Sequence, residues 1–593
     1  MTGNSSWFAT GRFYSFFLRS CILVFVLCVS CMRALAADND EIIEFLGDRY
    51  VIHVDRMQPD GEMTLMDVLN TCPEFLSING KTIDQDYILC IDNMVAAVDY
   101  DMFLNNVRAC EIDHILIYSN TSVSTAVDGA RGMIDVYYRD DVKTDGKVTL
   151  TGNTYGNGMV YADVTNRTEK FSVQAYAMGR ASYGKANPID LHQMTNKGLV
   201  ENLHLKLNWK MSDCDNLIVK AFQSFGENKS KLFTPDLTGV FNTYNRDVSF
   251  VLSYSHTFKN EVFLIAETGG EYDNATLDNI NTHVFYPYAF LELQTPVFTP
   301  DLWLLAGVEV DYDNTRYVDL NRGQLLITDL YAKFDYSHGP WLFTLGDRFS
   351  MMNYWDRLYS SDHPGLWKHS RCNHSYVASA GFKAGRHFFQ GLFARRFYIP
   401  VVNDFLFYDE GADYSLKHDA NRYSTNLAHQ AAIRYSYQKK NFVLHTSIEG
   451  TWFSRMVVFN YQLLGIKNSV YWKIGPWELT LGANYYYQHA NSSEYVEAET
   501  DNYVTLKLAP VLHLPHGFRL SSTLLYCSRR NIYEMHPHLF AAVKANKQFG
   551  KKFNVFAEFN DLAGYTKGYW IQLSDLYQNR AVSVGITFYP FRK

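Results

Sequence analysis

Residues 202–211 read Asn-Leu-His-Leu-Lys-Leu-Asn-Trp-Lys-Met. Leu203, Leu205, Leu207, Trp209 and Met211 fall on one parity, and Asn202, His204, Lys206, Asn208 and Lys210 on the other. Strict alternation over this length describes a β-strand with two unlike faces. Lysines on one parity cannot all face a protein core, and five large apolar side chains on the other cannot all face water. Lipid on one side and an aqueous lumen on the other satisfies both faces. The pattern recurs where Phe171, Val173, Ala175 and Ala177 alternate with Ser172, Gln174 and Tyr176. It recurs again near the C-terminus, where Val582, Val584, Ile586 and Phe588 alternate with Ser583, Gly585 and Thr587.

Outward from these segments, the connectors switch between short and long. Tight turns are expected near Asn166-Arg167-Thr168, Ser212-Asp213-Cys214, Lys259-Asn260, Thr299-Pro300, His338-Gly339, Gly385-Arg386, Lys439-Lys440, Gly475-Pro476, Pro515-His516-Gly517 and Gly550-Lys551. Long loops are expected near 183–199, 227–245, 352–373, 399–422, 491–500, 528–535 and 564–579. Short turns at one end and long loops at the other are the asymmetry of an outer-membrane barrel. Residues 142–593 divide into about 22 strands at about 20 residues per strand and connector, which leaves spanning segments of about 9–11 residues. Tyr485-Tyr486-Tyr487, Trp341 and Phe388-Phe389 are expected in aromatic girdles at the membrane surfaces. The chain ends Ile586-Thr587-Phe588-Tyr589-Pro590-Phe591-Arg592-Lys593, which resembles the aromatic last strand read by barrel-assembly machinery.

Composition agrees. Forty-two Tyr and 40 Phe with only 15 Pro and 20% charged residues is a strand-forming mixture. A net charge of -8 with scattered Lys and Arg argues against nucleic acid as a partner. Arg12 and Arg19 precede an apolar run from Cys21 to Cys31 and then Ala34-Leu35-Ala36-Ala37, so residues 1–36 read as a secretory signal peptide. Cys72, Cys90 and Cys110 lie in one small region, where one disulfide or buried free thiols are the two readings.

Residues 37–141 form a separate small α+β unit. Tyr50–Asp55 reads as a strand and Gly61–Asn70 as a helix capped by Thr64 with Asp67 at capping-box distance. Tyr87–Asn93 reads as a buried strand and Tyr100–Val107 as a second helix. A strand carrying Ile112, Ile115 and Ile117 follows, then a polar turn from Ser119 to Thr125, glycines 129 and 132, and a strand Met133–Tyr138. This order resembles the plug of TonB-dependent outer-membrane receptors, in particular the Bacteroidetes type. Thr64, Asp67, Leu69 and Pro73 match the early helix motif, and Ile91 with Asp92 the end of a plug strand. Ile112, Gly129, Gly132 and Ile134 match the closing motif. The chain departs from that motif at Ser119-Asn120-Thr121 and at Asp135, which stands where an Asn is usual.

The resemblance implies a membrane all-β protein: a 22-stranded antiparallel transmembrane β-barrel in the Gram-negative outer membrane, with the plug in its lumen. It implies an outer-membrane transporter for a scarce nutrient, with outer-membrane lipid around it and the TonB energy-coupling complex as partner. The ligand would be a small molecule, peptide or glycan. Glu41, Ile42, Ile43, Glu44 and Phe45 are the candidate TonB-contact segment; the same residues also read as packing for a first plug strand. The alternative is a plugged scaffold or secretion component that binds surface lipoproteins. No nucleophile motif, phosphate loop or metal-binding helix is present, and no cofactor is implied. Asp362, His363, His369, Cys372 and His374 have metal-ligand types but match no zinc spacing, and the acidic, aromatic segment Asn403–Asn421 reads as a solvated lid.

Overall fold

A computed structural model describes residues 42–592, except 47–48, 58–62, 70–76, 79–80, 83–86, 92–99, 119–131, 140, 142, 155, 186–192, 234–237, 278–279, 318–320, 359–364, 399–425, 440, 455–460, 491–498, 530–536 and 560–581. The expected signal peptide, Glu41, Cys72, Pro73, Asp92, Gly129 and the Asn403–Asn421 segment lie outside the described residues.

Alternation decides the architecture. From β8 (Lys143–Asn153) to β29 (Val582–Phe588), every strand pairs antiparallel with its neighbours in sequence, and β29 closes on β8 to complete a 22-stranded barrel. Strand β11 (Gln193–Lys210) has the faces expected of it. Leu203 and Trp209 are about half exposed on the outside, whereas Asn202 and Lys206 are buried on the luminal side. Large apolar side chains cover the exterior on strand after strand, and with each strand laddered to its neighbours this belt can face lipid. No helix among the described residues is long and apolar enough to cross a membrane. Replacing Leu205 with Arg on this belt is expected to cost about 2–4 kcal/mol of barrel stability if it sits at the bilayer midplane, read by reversible denaturant unfolding in lipid.

The expected tight turns are found among the described residues, outside which Lys440 of the expected Lys439-Lys440 turn lies. Gly339-Pro340 and Gly475-Pro476 join their strands with two residues, and the glycines have φ of 57° and 54°. Proline forbids positive φ at the second position, so these are type II′ turns, whose twist suits a hairpin. Trp209, Phe258, Trp341, Trp472, Trp477 and Phe549 project outward beside the turns as one girdle. The girdle assignment fails for Tyr486 and Phe388. Tyr486 faces the lumen and stacks on Tyr503 at 4.7 Å, and Phe388 packs on the first domain. Consecutive aromatics in a strand must point to opposite faces, so neither run can lie wholly in the girdle.

Several loops are shorter than expected. β10 (Phe171–Lys185) enters the segment 183–199 and β11 occupies its second part, while β12 (Asp215–Phe233), β13 (Thr238–Thr257), β18 (Trp341–Leu358) and β19 (Gly365–Ala384) run well into 227–245 and 352–373. A strand of 18 residues is roughly 60 Å long, against an apolar band about 25 Å tall. Beyond that band both faces are wet, so alternation of hydrophobicity vanishes while pairing continues.

The first domain sits in the lumen. Its sheet has the order β1-β2-β6-β7-β5, with β1 (Ile43–Leu46), β2 (Arg49–His53), β5 (Tyr87–Ile91), β6 (Ile112–Tyr118) and β7 (Gly132–Tyr138), and β3 (Ser77–Ile78) pairs separately with β4 (Lys81–Thr82). Three short helices, α1 (Val54–Met57), α2 (Leu65–Leu69) and α3 (Tyr100–Asn106), cover it. Leu65, Val68, Leu69, Ile112, Ile115 and Ile134 form its core. The expected capping box is present: the Thr64 amide donates to Asp67 Oδ2 at 2.9 Å, and the Asp67 amide donates to Thr64 Oγ1 at 3.2 Å. Strand β1 falls where Glu41–Phe45 also read as a first plug strand, whereas helix α1, only four residues long, was not legible and takes over Val54 and Asp55 from the end of the expected strand Tyr50–Asp55.

Candidate functional site

The seat of the plug in the barrel is built where the chain passes from one to the other. Arg108 follows α3 and is nearly fully buried. Its guanidinium lies 2.9 Å from Asp145 on β8, 3.4 Å from Glu111 and 3.6 Å from Asp163 on β9 (Gly158–Arg167). Glu111 in turn meets Lys143 at 2.7 Å and Arg167 at 3.2 Å, and Lys147 donates to the Asn106 carbonyl. Burial alone would lower the Arg108 pKa, but Asp163, Glu111 and Asp145 reverse this and hold it above its ordinary value. Burial pushes the neighbouring Cys110 thiol up.

A second set of contacts lies on β21 (Asn426–Lys439), β22 (Phe442–Ser454) and β23 (Tyr461–Ile474). Arg434 lies over the Tyr50 ring, 5.8 Å from its centroid, and pairs with Glu449 at 3.4 Å; Lys467 meets Glu449 at 3.0 Å. His445 meets Tyr50 edge-on, and the Ile43 amide donates to Gln438 Oε1 at 3.3 Å. Val443, Tyr471 and Phe388 complete the plug core from the barrel side. Elsewhere Lys220 on β12 donates to the Ile91 carbonyl, and Arg519 on β26 (Phe518–Cys527) reaches Asp67 at 3.5 Å.

Asp67 therefore caps its helix and ties the plug to the wall. Burial would raise its carboxyl pKa, but Arg519, Lys544 and the Thr64 hydrogen bonds outweigh this and lower it. A depressed carboxyl contributes stability above its unfolded value, near 3.9, and loses it as pH falls through the folded value. The difference in plug melting between wild type and Asp67→Asn is expected to be full at neutral pH and to shrink as pH falls below about 4.

One wall of the lumen is acidic. Asp247 on β13, Glu267 on β14 (Phe263–Leu277), Glu292 on β15 (Ile280–Val297), Glu309 and Asp311 on β16 (Thr299–Tyr317), and Asp329 on β17 (Asn321–His338) share the luminal face, with Lys333 and Arg348 among them. Tyr331 donates to Glu292 at 3.1 Å by lying across Gly307, its partner in the ladder; a Cβ at Gly307 would fall 2.4 Å from that ring. Tyr288 reaches Glu267 at 2.9 Å across Gly269 in the same way.

Of the residues singled out from sequence, Thr64, Asp67, Leu69, Ile91, Ile112, Gly132 and Ile134 all lie in the plug. They build its fold; of their side chains only that of Asp67 also has a described ion pair with the barrel, and the Ile91 carbonyl accepts from Lys220. Ile43, Glu44 and Phe45 belong to β1, at the edge of the plug sheet, with Ile42 and Ile43 buried and Glu44 paired to His53 at 2.9 Å. That hydrogen bond with His53 lowers the Glu44 pKa. Cys90 and Cys110 are free thiols. His369, Cys372 and His374 stand on β19 rather than in a loop, and Cys372 and His374 are exposed, with His374 held 3.1 Å from Asp347. The seat residues Arg108, Arg167 and Arg434 were missed. Scattered single charges acquire meaning only from strand register, which one sequence does not display.

No family model matches the sequence, and no curated protein sequence matches it. Solved structures do match. The alcaligin outer-membrane receptor FauA from Bordetella pertussis is 11% identical, with a TM-score of 0.64 over 92% of this chain and 95% of that one. The iron transporter FrpB from Neisseria meningitidis, in its apoprotein form, is 10% identical, with a TM-score of 0.70 over 92% and 100%. The copper transporter OprC is 10% identical, with a TM-score of 0.70 over 94% and 100%. The chain has the fold of the TonB-dependent receptors. Its apolar belt and closed 22-stranded wall are those of a barrel that crosses a membrane with strands. The Bacteroidetes subtype is a matter of sequence resemblance alone.

Proposed function

We propose that this chain is an energised uptake receptor that captures a scarce small ligand outside the cell and passes it inward when the plug is displaced. One observation carries this reading: a wide barrel is closed by a separately folded N-terminal domain that the wall holds through several discrete ion pairs and hydrogen bonds beside a few apolar contacts from Phe388, Val443 and Tyr471. Polar interfaces of this kind permit relative motion, whereas a continuous apolar seam would not. A porin has no use for such a domain, and the reading calls for a transporter and not an enzyme.

Coupling to a TonB-type partner requires a strand-like handle. β1 is at the sheet edge, so an added strand would pair on its outer side. A pull on Glu41–Phe45 would pass through β2 to the rest of the plug. The structural neighbours include receptors for a siderophore, iron and copper, which supports a metal or metal chelate as ligand. The acidic wall favours a neutral or cationic form over a polyanionic chelate.

Protein isolated from native membranes is expected to carry its ligand, identified by mass spectrometry. Energised cells should then accumulate that ligand, and protonophore-treated cells should bind it without accumulating it. Accumulation that is indifferent to the protonophore would contradict the proposal.

A further inference from the structure

We propose that Glu309, Asp311, Asp329 and Ser350 form a site in the luminal wall for one hard divalent cation of the calcium and magnesium class. Glu309 and Asp311 share the luminal parity of β16, and Asp329 on β17 lies opposite Glu309 in the ladder. One carboxylate oxygen from each lies within 4.8 Å of the others, close enough for a single ion to touch all three at oxygen–metal distances of about 2.0–2.6 Å.

Arg348 on β18 sets the charge. Its Nη2 lies 2.7 Å from Glu309 Oε2 and also contacts Asp329 Oδ2, which leaves the second oxygen of each carboxylate for another partner. Lys333 and Arg348 offset part of the charge on this face, but Glu267, Glu292, Glu309, Asp311 and Asp329 outnumber them, so the buried wall keeps an excess of negative charge.

Ser350 supplies an independent observation. It is fully buried on β18, directly opposite Asp329 in the register, and its hydroxyl has no hydrogen-bond partner among the described residues. Asp329 Oδ1, on the same luminal face, is buried and has no hydrogen-bond partner either. Buried polar atoms are ordinarily paired, and two orphaned oxygens beside an excess of negative charge are satisfied together by a cation. Every donor is oxygen, which selects calcium or magnesium over copper or zinc. Glu309 keeps 18% of its side chain exposed, so an ion reaches the site from the lumen. Once bound, it ties β16, β17 and β18 together across the acidic wall.

The test uses the full-length protein, stripped with chelator in detergent, its folding verified by heat-modifiable gel mobility. Calcium is titrated by calorimetry, and terbium luminescence is excited through tyrosine; the Tyr331 ring lies 5.3 Å from the Arg348 guanidinium. One equivalent of calcium per chain is expected, displaceable by magnesium. Asp311→Asn should weaken binding about tenfold or more, and Ser350→Ala, which changes no charge, about threefold, because ligand charge count and donor number set affinity. Asp273→Asn, on the same wall but two strands away from β16, should leave binding unchanged. Absence of saturable binding in the wild type, or an equal loss in Asp273→Asn, would overturn the proposal, the latter by showing only a diffuse acidic field.

Discussion

Replacing Arg108 with Ala is expected to unseat the plug and make the barrel leak. The guanidinium is buried at the passage from plug to wall and touches Glu111, Asp145 and Asp163, so its removal leaves buried carboxylates facing one another. Breaking a buried pair from one side costs about 3–5 kcal/mol, because the remaining charge stays desolvated. Of the other ion pairs around Arg108, those of Lys143 end on Glu111 and Asp145 and that of Arg167 on Glu111, so none of them reaches Asp163. A cost of that size raises the population of the unseated state by roughly a hundredfold to a few thousandfold. Cells carrying the variant should become sensitive to antibiotics too large for an intact outer membrane, and the purified protein should show frequent large openings in planar bilayers. Arg108→Lys keeps the charge but loses the forked geometry, and should fall between the two. A closed, silent Arg108→Ala variant would mean that the network does not hold the plug.

How much of this was legible depended on whether a signal is local. The wall was legible because Leu203 to Met211 must satisfy lipid and water on alternate positions, and that constraint is written in ten consecutive residues. The capping box of Thr64 and Asp67 was legible for the same reason, as was the β6–β7 pair, whose isoleucines fill the plug core. The upper reaches of β12, β13 and β19 were not, since above the membrane both faces are wet and strand looks like loop. The seat was hidden more deeply. Arg108 and Asp145 are separated by a domain boundary, and Arg434, Glu449 and Lys467 stand on three different strands. Only the closed register brings such residues together, and the same is true of the glycines that let Tyr288 and Tyr331 lie across the wall. The alternation rule, applied strictly, would have predicted both failures among the aromatic assignments, because neither Tyr485 and Tyr486 nor Phe388 and Phe389 can share a face.

The second large effect concerns motion. If the plug must leave its seat for ligand to pass, a covalent tie between plug and wall should abolish accumulation while sparing capture at the outer face. Asp67 and Arg519 mark a suitable place, since their side chains meet at 3.5 Å between α2 and β26. Cys214 and Cys372 are exposed thiols and need replacement by Ser first. In that background, Asp67→Cys with Arg519→Cys should accumulate ligand before treatment, because the tie it removes is one of several. A short bis-maleimide should then join the two elements.

The decisive measurement is therefore ligand accumulation by energised cells before and after that cross-link, with surface binding measured in parallel. The account predicts that accumulation falls to the level of cells lacking the protein while binding persists. Undiminished accumulation in fully cross-linked protein would contradict it, because ligand would then be passing a plug that cannot move.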